Sequence, residues 1–234
     1  MKVIAAVFAR GGSKGVPGKN LRVLDGRPLV VHAVEQALAC PGVDRVILST
    51  DSDEIARVAG GAGAEVPWLR PAELATDTAR EWDAWQHLLR WLADRGESPD
   101  RLLVVPCTAP LRVVSDLERC LEASAVPGTD IVITVSPSHR NPWFNMVQLD
   151  EDGRASLVCE PPERIHRRQD APPTFDVGTV AFVADPSYVV SADSLYDGVV
   201  RTVTVPVERS LDIDTEVDLA LAELLLSRRG DAGR

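Results

Sequence analysis

The chain has 234 residues, of which 45% are hydrophobic and 26% are charged, a balance typical of a soluble globular protein. Its formal net charge of −10 argues against a general nucleic-acid-binding surface, because such a surface needs a basic face to neutralise phosphates. A local basic pocket for a small anionic ligand is still compatible with this charge. The four cysteines form no CxxC pair, which argues against a zinc ribbon or a redox motif.

No apolar run has the length of a membrane span, and the short N-terminal run ends at Arg10, too early for a signal peptide. The sequence therefore predicts a cytoplasmic protein that binds neither membranes nor nucleic acid. Its length fits a single domain over residues 1–234.

Apolar runs and helical periodicity alternate along the chain. The first run, residues 3–8, is continuous, which is typical of a parallel strand buried on both faces. The order that follows is β-α-β-α-β, the pattern of a Rossmann-like α/β layer with a mostly parallel sheet. The predicted strands cover residues 3–8, 45–50, 65–68, 101–105, 130–135, 175–183 and 199–207, and the predicted helices cover residues 28–38, 53–59, 80–95, 115–123 and 216–227.

Residues 136–173 differ in character from the rest of the chain, because prolines, aromatic residues, histidines and arginines are concentrated there. We interpret this segment as an excursion from the core that serves either as a lid or as a dimerisation arm.

A glycine-rich loop follows the first strand and carries the cations Arg10, Lys14 and Lys19 among four glycines. Glycines let backbone N–H groups line a concavity that binds anions, and the cations add charge where a phosphate chain would lie. An ordinary βα loop is the alternative, but a turn does not need three cations. The loop is neither a P-loop, since it lacks GxxxxGK[ST], nor a dinucleotide fingerprint, which would open directly on a helix.

Asp212 and Asp214 alternate in an extended segment, so both are expected to point to one face. Two carboxylates on one face repel each other unless a cation lies between them, and oxygen ligands suit Mg²⁺. The pair therefore predicts a magnesium site. The alternative is a helix N-cap, with Asp214 or Thr215 capping the C-terminal helix, although capping would account for only one of the two acids.

Residues 9–20, read as Ala-Arg-Gly-Gly-Ser-Lys-Gly-Val-Pro-Gly-Lys-Asn, closely resemble the signature of the acylneuraminate cytidylyltransferase family. The similarity continues in the family's order through residues 49–52, 70–78, 108–112 and 212–216, so it covers nearly the whole chain. The resemblance implies a three-layer α/β nucleotidyltransferase fold and a Mg²⁺-dependent reaction in which CTP and an acidic acceptor give a CMP-linked product and pyrophosphate.

The resemblance also implies roles for individual residues. Catalytic positions carried over from the family are Arg10, Lys14, Lys19, Asp212 and Asp214, with both aspartates as metal ligands. The CTP-binding positions are Ala9, Arg10, Gly11, Gly12, Ser13, Lys19, Asn20, Ala75, Thr76, Asp77, Thr108 and Arg112. The reaction develops negative charge on the α-phosphate and on the departing pyrophosphate, and cations placed in advance stabilise that charge.

The acceptor side departs from the family pattern. Pro106 stands where a glutamine would face the acceptor, and Gly178 stands at an acceptor-facing asparagine position. Arg167, Arg168 and Gln169 keep a basic cluster that could bind an acceptor carboxylate. A site that loses its hydrogen-bonding groups loses the substrates that depend on them, which points away from the common sialic acid.

Three functions stay open at this point. The first is transfer of CMP to a nonulosonic or related acid sugar, and the second is transfer to a small phosphonate such as phosphonoformate. The third is a non-catalytic nucleotide-binding module. In each enzymatic case the excursion at residues 136–173 predicts a homodimer in which each arm crosses to its neighbour.

Overall fold

A central β-sheet organises the computed structural model, which describes residues 1–13, 15–161, 163 and 165–232, with only the backbone of 229–232. The strands are β1 (Val3–Phe8), β2 (Val23–Leu24), β3 (Arg27–Pro28), β4 (Val43–Ser49), β5 (Arg101–Val104), β6 (Ile131–Pro137), β7 (Val147–Leu149), β8 (Ala155–Leu157), β9 (Phe175–Ala184) and β10 (Val200–Thr204). The helices are α1 (Leu29–Leu38), α2 (Asp53–Gly61), α3 (Glu81–Ala93), α4 (Val114–Ser124), α5 (Pro186–Ser191) and α6 (Glu216–Ala232).

Within the described residues, six strands form the main sheet in the order β10-β6-β9-β5-β1-β4. Strand β1 runs parallel to β4 and β5, and β10 runs parallel to β6, whereas β9 is antiparallel to both of its neighbours. The predicted Rossmann-like, mostly parallel sheet is therefore confirmed. The predicted strand at residues 65–68 is reduced to isolated bridges from Glu65 and Leu69 to the β4 edge.

The sheet is buried on both faces because its strands alternate their apolar side chains between two cores. Along β1, Val3, Ala5 and Val7 join one core, while Ile4 and Ala6 join the other. Helices α1, α2, α4 and α6 contribute to the first core, and α3 and α5 contribute to the second. This arrangement gives the three layers that were expected, and it explains why β1 reads as a continuous apolar run.

Residues 136–173 leave the sheet at the end of β6 and return to it at β9. The β7–β8 hairpin lies in this excursion and leaves apolar side chains exposed, among them Val147 and Leu149. A role of this arm in dimerisation stays a prediction. Across the described residues, no helix combines the length and the apolar character that crossing a membrane requires.

Candidate active site

A cavity of about 340 Å³ opens at the carboxyl ends of β1 and β5. In a parallel sheet this edge collects the loops that follow neighbouring strands, so segments distant in sequence meet there. The described residues that line the cavity are Phe8, Arg10, Ser13, Lys19, Asn20, Arg70, Leu74, Thr76, Asp77, Ala79, Arg80, Glu81, Pro106, Cys107, Thr108, Thr179 and Asp212. Nine of the predicted site residues are among them; Lys14 lies outside the described residues.

The first loop is held open by hydrogen bonds at its two ends. The Gly11 N–H donates to Asp51 Oδ1 at 2.8 Å, and the Ala9 N–H donates to the Ser49 carbonyl at 3.1 Å. The buried Asn20 donates from Nδ2 to the Arg10 carbonyl at 2.9 Å. Ala9 and Gly11 thus fix the path of the loop, and Gly12 lies exposed at its surface.

The two described cations of the loop connect it to other segments of the site. Arg10 donates to the Thr76 carbonyl at 3.0 Å and pairs with Asp77 at 3.1 Å. Lys19 Nζ donates to the Ile213 carbonyl at 2.7 Å and pairs with Asp214 Oδ1 at 3.0 Å. The predicted phosphate-binding loop and the predicted metal-binding segment are therefore in direct contact, although Lys19 and Asp214 are 195 positions apart in the chain.

Asp212 and Asp214 differ in whether their side chains line the cavity. Asp212 lines it, and its buried Oδ1 has no hydrogen-bond partner among the described residues. Asp214 has a side chain that is 70% exposed and reaches the cavity only through its ion pair with Lys19. The described part of the chain contains no group of three His, Cys, Asp or Glu side chains that could hold a metal ion. The two aspartates thus provide carboxylate oxygens without a complete protein ligand set.

The N-terminus of α6 is capped without either aspartate. Asp218 Oδ2 accepts from the Thr215 N–H and the Thr215 hydroxyl, both at 2.7 Å, and the Asp218 N–H donates to Thr215 Oγ1 at 3.3 Å. These bonds, the Thr215 bond foremost, lower the pKa of Asp218. Because Thr215 and Asp218 form this capping box, capping does not account for the carboxylate of Asp212 or of Asp214.

Gly15 sets how closely the first loop can approach Asp214. A Cβ placed on Gly15 would lie 2.1 Å from the Asp214 carbonyl oxygen, far inside van der Waals contact. The buried Ile213 fixes the same segment from the other side, since its N–H donates to the Thr108 carbonyl at 2.8 Å. Glycine at position 15 is therefore required by a backbone approach, in addition to any role in a phosphate nest.

Some predicted site residues do not line the cavity. Arg112 is 2% exposed, donates to the Pro106 carbonyl and to Gln36, and supports the cavity wall from behind. Burial lowers the pKa of Arg112 to about 10. Ala75 and Gly178 are likewise not among the lining residues. The arm residues Arg167, Arg168 and Gln169 lie on a short 3₁₀ turn and its N-cap, with Arg167 paired to Asp170 at 2.8 Å and Arg168 donating to the Ser138 carbonyl at 3.1 Å.

The cavity contains functional candidates that the sequence did not predict. Arg70 is buried, donates from Nε to Ser49 Oγ at 3.0 Å and lies over the Phe8 ring at 5.7 Å. Thr179 reaches the cavity beside Thr108, with 3.1 Å between the two hydroxyl oxygens. Arg70 opens the motif at residues 70–78, so its position was a usable signal. Thr179 follows Gly178 on β9, and no local sequence signal indicates that Thr179 rather than Gly178 reaches the cavity.

Two further groups limit the chemistry of the cavity. Burial raises the pKa of the Cys107 thiol to about 12, so this cysteine is protonated at neutral pH and is not a nucleophile. Protein atoms around the Glu81 carboxylate displace water from it, and this desolvation raises its pKa. The residue as a whole is still exposed, through the cavity. The fixed cations suit the binding of a phosphate chain, and the unpaired Oδ1 of Asp212 suits a cation.

Comparison with known proteins finds relatives of this chain. Residues 4–95 match the family model described as Cytidylyltransferase. The chain is 32% identical to a CMP-N,N'-diacetyllegionaminic acid synthase of Legionella pneumophila subsp. pneumophila over 99% of each chain. It is 27% identical to an N-acylneuraminate cytidylyltransferase of Streptococcus agalactiae over 93% of this chain and 52% of that one.

The fold is similar to that of a CMP:2-keto-3-deoxy-manno-octonic acid synthetase solved in complex with CTP. The TM-score is 0.73 at 18% sequence identity, over 98% of this chain and 100% of that one. Sequence similarity along the full length, together with the shared fold, shows that the chain belongs to the acylneuraminate cytidylyltransferase family and is a CTP-dependent nucleotidyltransferase.

Proposed function

We propose that this enzyme transfers CMP from CTP to a hydroxyl group of a sugar acid and releases pyrophosphate, with Mg²⁺ as its metal ion. The observation that carries the proposal is the contact of Lys19 with the Asp212–Asp214 segment at one cavity. The relatives support a sugar acid as the acceptor, since the similar synthase from Legionella pneumophila is named for N,N'-diacetyllegionaminic acid.

The residues at the cavity suit phosphoryl transfer. The acceptor oxygen forms a bond to the α-phosphorus, the bond from that phosphorus to the pyrophosphate oxygen breaks, and the acceptor hydroxyl proton passes to water. Arg10, Ser13 and Lys19 line the cavity where a triphosphate would lie, so their N–H and O–H donors can bind its oxygens. Arg70 adds a buried positive charge to the same wall, which favours the charge of the departing pyrophosphate.

Asp212 and Asp214 are the residues that would hold Mg²⁺. The fit rests on the buried, unpartnered Oδ1 of Asp212 and on the exposed carboxylate of Asp214, which supply the hard oxygen ligands that Mg²⁺ prefers. The few protein ligands are consistent with an ion that keeps water and substrate phosphate oxygens in its shell. When bound, Mg²⁺ neutralises charge on the phosphate oxygens.

A second copy of the chain completes the acceptor side in this proposal. The basic cluster at Arg167 and Arg168 lies on the arm and is absent from the lining of the chain's own cavity. If each arm crosses to its neighbour in a homodimer, the cluster can reach the neighbouring cavity and bind the acceptor carboxylate. The exposed apolar residues of the hairpin supply the contact surface.

A turnover screen of nucleotides against acceptors tests the proposal. Pyrophosphate release is measured with CTP, UTP, ATP and GTP against N,N'-diacetyllegionaminic acid, N-acetylneuraminic acid and phosphonoformate. We expect release with CTP and a sugar acid in the presence of Mg²⁺. Release with phosphonoformate alone, or with another nucleotide in place of CTP, would contradict the proposal, as would CTP binding without turnover of any acceptor.

Two variants separate the metal role from helix capping. Asp212→Asn removes a carboxylate oxygen from the cavity and should lower kcat/KM at least about a hundredfold with the fold intact. Thr215→Ala removes the helix cap, so it should cost about 1 kcal/mol of unfolding free energy while most activity remains. Normal turnover by Asp212→Asn would rule out the metal assignment.

A further inference from the structure

A second cavity, of about 270 Å³, lies beside the first one. Glu81 lines both cavities, so a ligand in the first can extend past this carboxylate into the second. The other residues that matter here are Trp82, Trp85, Phe182, Asp193 and Leu195. None of them belongs to the motifs that predict CTP binding, so the second cavity is not explained by the donor nucleotide.

The walls of the second cavity are fixed aromatic rings. Trp82 and Trp85 have ring centroids 5.2 Å apart, and Trp85 and Phe182 have centroids 5.5 Å apart. The Trp82 indole N–H donates to the Ala192 carbonyl at 2.8 Å, and the Trp85 indole N–H donates to Glu81 Oε1 at 3.3 Å. Because both N–H groups are used, the rings offer a ligand only their apolar and π surfaces.

The rim of the second cavity is acidic. Glu81 and Asp193 contribute carboxylates, and the neighbouring cation Arg80 is paired with Asp83 at 2.6 Å and donates to the Asp193 carbonyl at 3.3 Å. No described side chain forms an ion pair with the Asp193 carboxylate. The first cavity is lined by four cations, Arg10, Lys19, Arg70 and Arg80, and by three acids, Asp77, Glu81 and Asp212. The described lining of the second cavity contains acids and no Lys or Arg, so the balance of charge moves toward negative across Glu81.

We propose that the second cavity binds a basic substituent of the acceptor, an amine or an amidine, while the acceptor carboxylate stays on the cationic side. The inference rests on the proposed function and specifies its substrate as a sugar acid that carries a positive charge. A cation over Trp82 or Trp85 gains a cation–π interaction, and Glu81 and Asp193 can each form a charge-assisted hydrogen bond with it. A neutral N-acyl group gains only the apolar contact, and it leaves Asp193 without an ion pair and Glu81 with only its hydrogen bond from Trp85.

Matched acceptors test the proposal. Pyrophosphate release by the wild-type enzyme is measured with CTP and Mg²⁺. The acceptors are N,N'-diacetyllegionaminic acid and its two mono-N-deacetylated forms, each of which has an amine in place of one of the two acetamido groups. We expect one amine form to have a kcat/KM at least about tenfold above the diacetyl form, the difference that one charge-assisted hydrogen bond supplies. Equal or better turnover of the diacetyl form would overturn the proposal.

Variants locate the preference. Glu81→Gln and Asp193→Asn remove one charge each at nearly constant shape and should lower the amine-to-acetyl ratio of kcat/KM about tenfold. Asp94→Asn removes a similar charge from the exposed end of α3, away from both cavities, and should leave the ratio unchanged. A preference for the amine that survives both cavity variants would also overturn the assignment.

A binding measurement tests the cation-binding cavity independently of the proposed function. Saturation-transfer NMR with methylguanidinium and with acetamide compares a cationic and a neutral fragment without requiring turnover. We expect transfer to methylguanidinium in the wild type and its loss in Glu81→Gln, with no such change for acetamide. If no sugar acid is turned over but this pattern holds, the proposed function fails and the cation-binding cavity stands; if methylguanidinium does not bind, the cavity assignment fails.

Discussion

Gly15 lies where the first loop meets the backbone of Asp214, and a side chain there has no room. We expect Gly15→Ala to push the loop away from the Asp214 carbonyl, because the added Cβ would lie 2.1 Å from that oxygen. Displacement of about 1 Å at a site of this kind costs roughly a hundredfold in rate, so kcat/KM should fall by about that factor. The measurement is steady-state pyrophosphate release.

Gly12→Ala is the matched control, because a Cβ at Gly12 meets no atom within 4 Å. Gly12→Ala should lower kcat/KM only slightly if Gly15→Ala acts through the clash of its Cβ with the Asp214 carbonyl. Equal losses in both variants would indicate that backbone flexibility, rather than close approach, makes the loop sensitive to substitution.

Local spacing predicted the cations Arg10 and Lys19, and the family resemblance added Ser13 and Asn20. All four line the cavity, and their binding roles stay predictions. The family resemblance implies that Arg112 contacts the nucleotide, whereas its guanidinium turns inward to the Pro106 carbonyl. Which way a long side chain turns depends on partners such as Gln36, and the sequence around Arg112 does not reveal them.

At the scale of elements, the buried carboxylate of Asp116 holds the connection from β10 to α6 in place through hydrogen bonds. Asp116, on α4, is 0% exposed and accepts two hydrogen bonds from Arg209, at 3.0 and 2.9 Å, and one from Arg119 at 2.8 Å. Arg209 lies three residues before Asp212 in the chain. The ion pair therefore anchors the segment that carries the predicted metal ligands.

Asp116→Ala should destabilise the protein by about 2 kcal/mol, because it removes the charge-assisted hydrogen bonds that the buried carboxylate accepts from Arg209 and Arg119. The measurement is the free energy of unfolding in urea. Glu216→Ala serves as the control: it breaks the exposed pair with Arg22, and the urea midpoint should stay nearly unchanged. A similar midpoint for both variants would show that Asp116 does not anchor the connection.

An irregularity in β9 explains why the direction of the Thr179 side chain was not predicted, although the strand itself was predicted at residues 175–183. Ile133 pairs with Phe182, but the next residue, Thr134, pairs with Gly178, so Thr179 and the two residues after it fall outside this register. The Thr134 hydroxyl donates to the Gly178 carbonyl at 3.0 Å and helps to close the bulge. The bulge turns Thr179 toward the cavity, and its origin is pairing with a strand more than 40 positions away.

At the scale of the whole molecule, the arm exposes apolar side chains to water, and this exposure is unfavourable for a single chain. Val147 is 55% exposed and Leu149 is 68% exposed on the β7–β8 hairpin. We expect the Val147→Asp/Leu149→Asp double variant to shift the protein from dimer to monomer in sedimentation velocity, because the charges would oppose burial of this surface. CTP binding should survive while turnover of the acceptor falls.

Val126→Asp, at a partly exposed apolar position beyond α4, is the control and should leave the mass unchanged. A wild-type protein that sediments as a monomer and still turns over its acceptor would contradict the crossed-arm arrangement.

The fold was more predictable than the acceptor site. Alternating apolar runs and helices predicted the Rossmann-like, mostly parallel sheet, because burial on both faces leaves continuous apolar runs in its central strands, and the family resemblance added the three layers. The antiparallel direction of β9 left no such pattern, since a strand buried on both faces has the same composition in either direction. The second cavity depends on Trp82, Trp85 and Phe182 meeting across two elements, which periodicity assigns only to the core.

The contact of the first loop with the Asp212–Asp214 segment has a consequence for how the protein is made. Lys19 leaves the ribosome 195 positions ahead of the acid with which it pairs. While the residues between them are synthesised, the strand β1 and its loop exist without the segment that closes the site. A nascent chain therefore cannot form the contact between Lys19 and Asp214 until the later segment has left the ribosome, so a ligand that needs both segments can stabilise the chain only after that point.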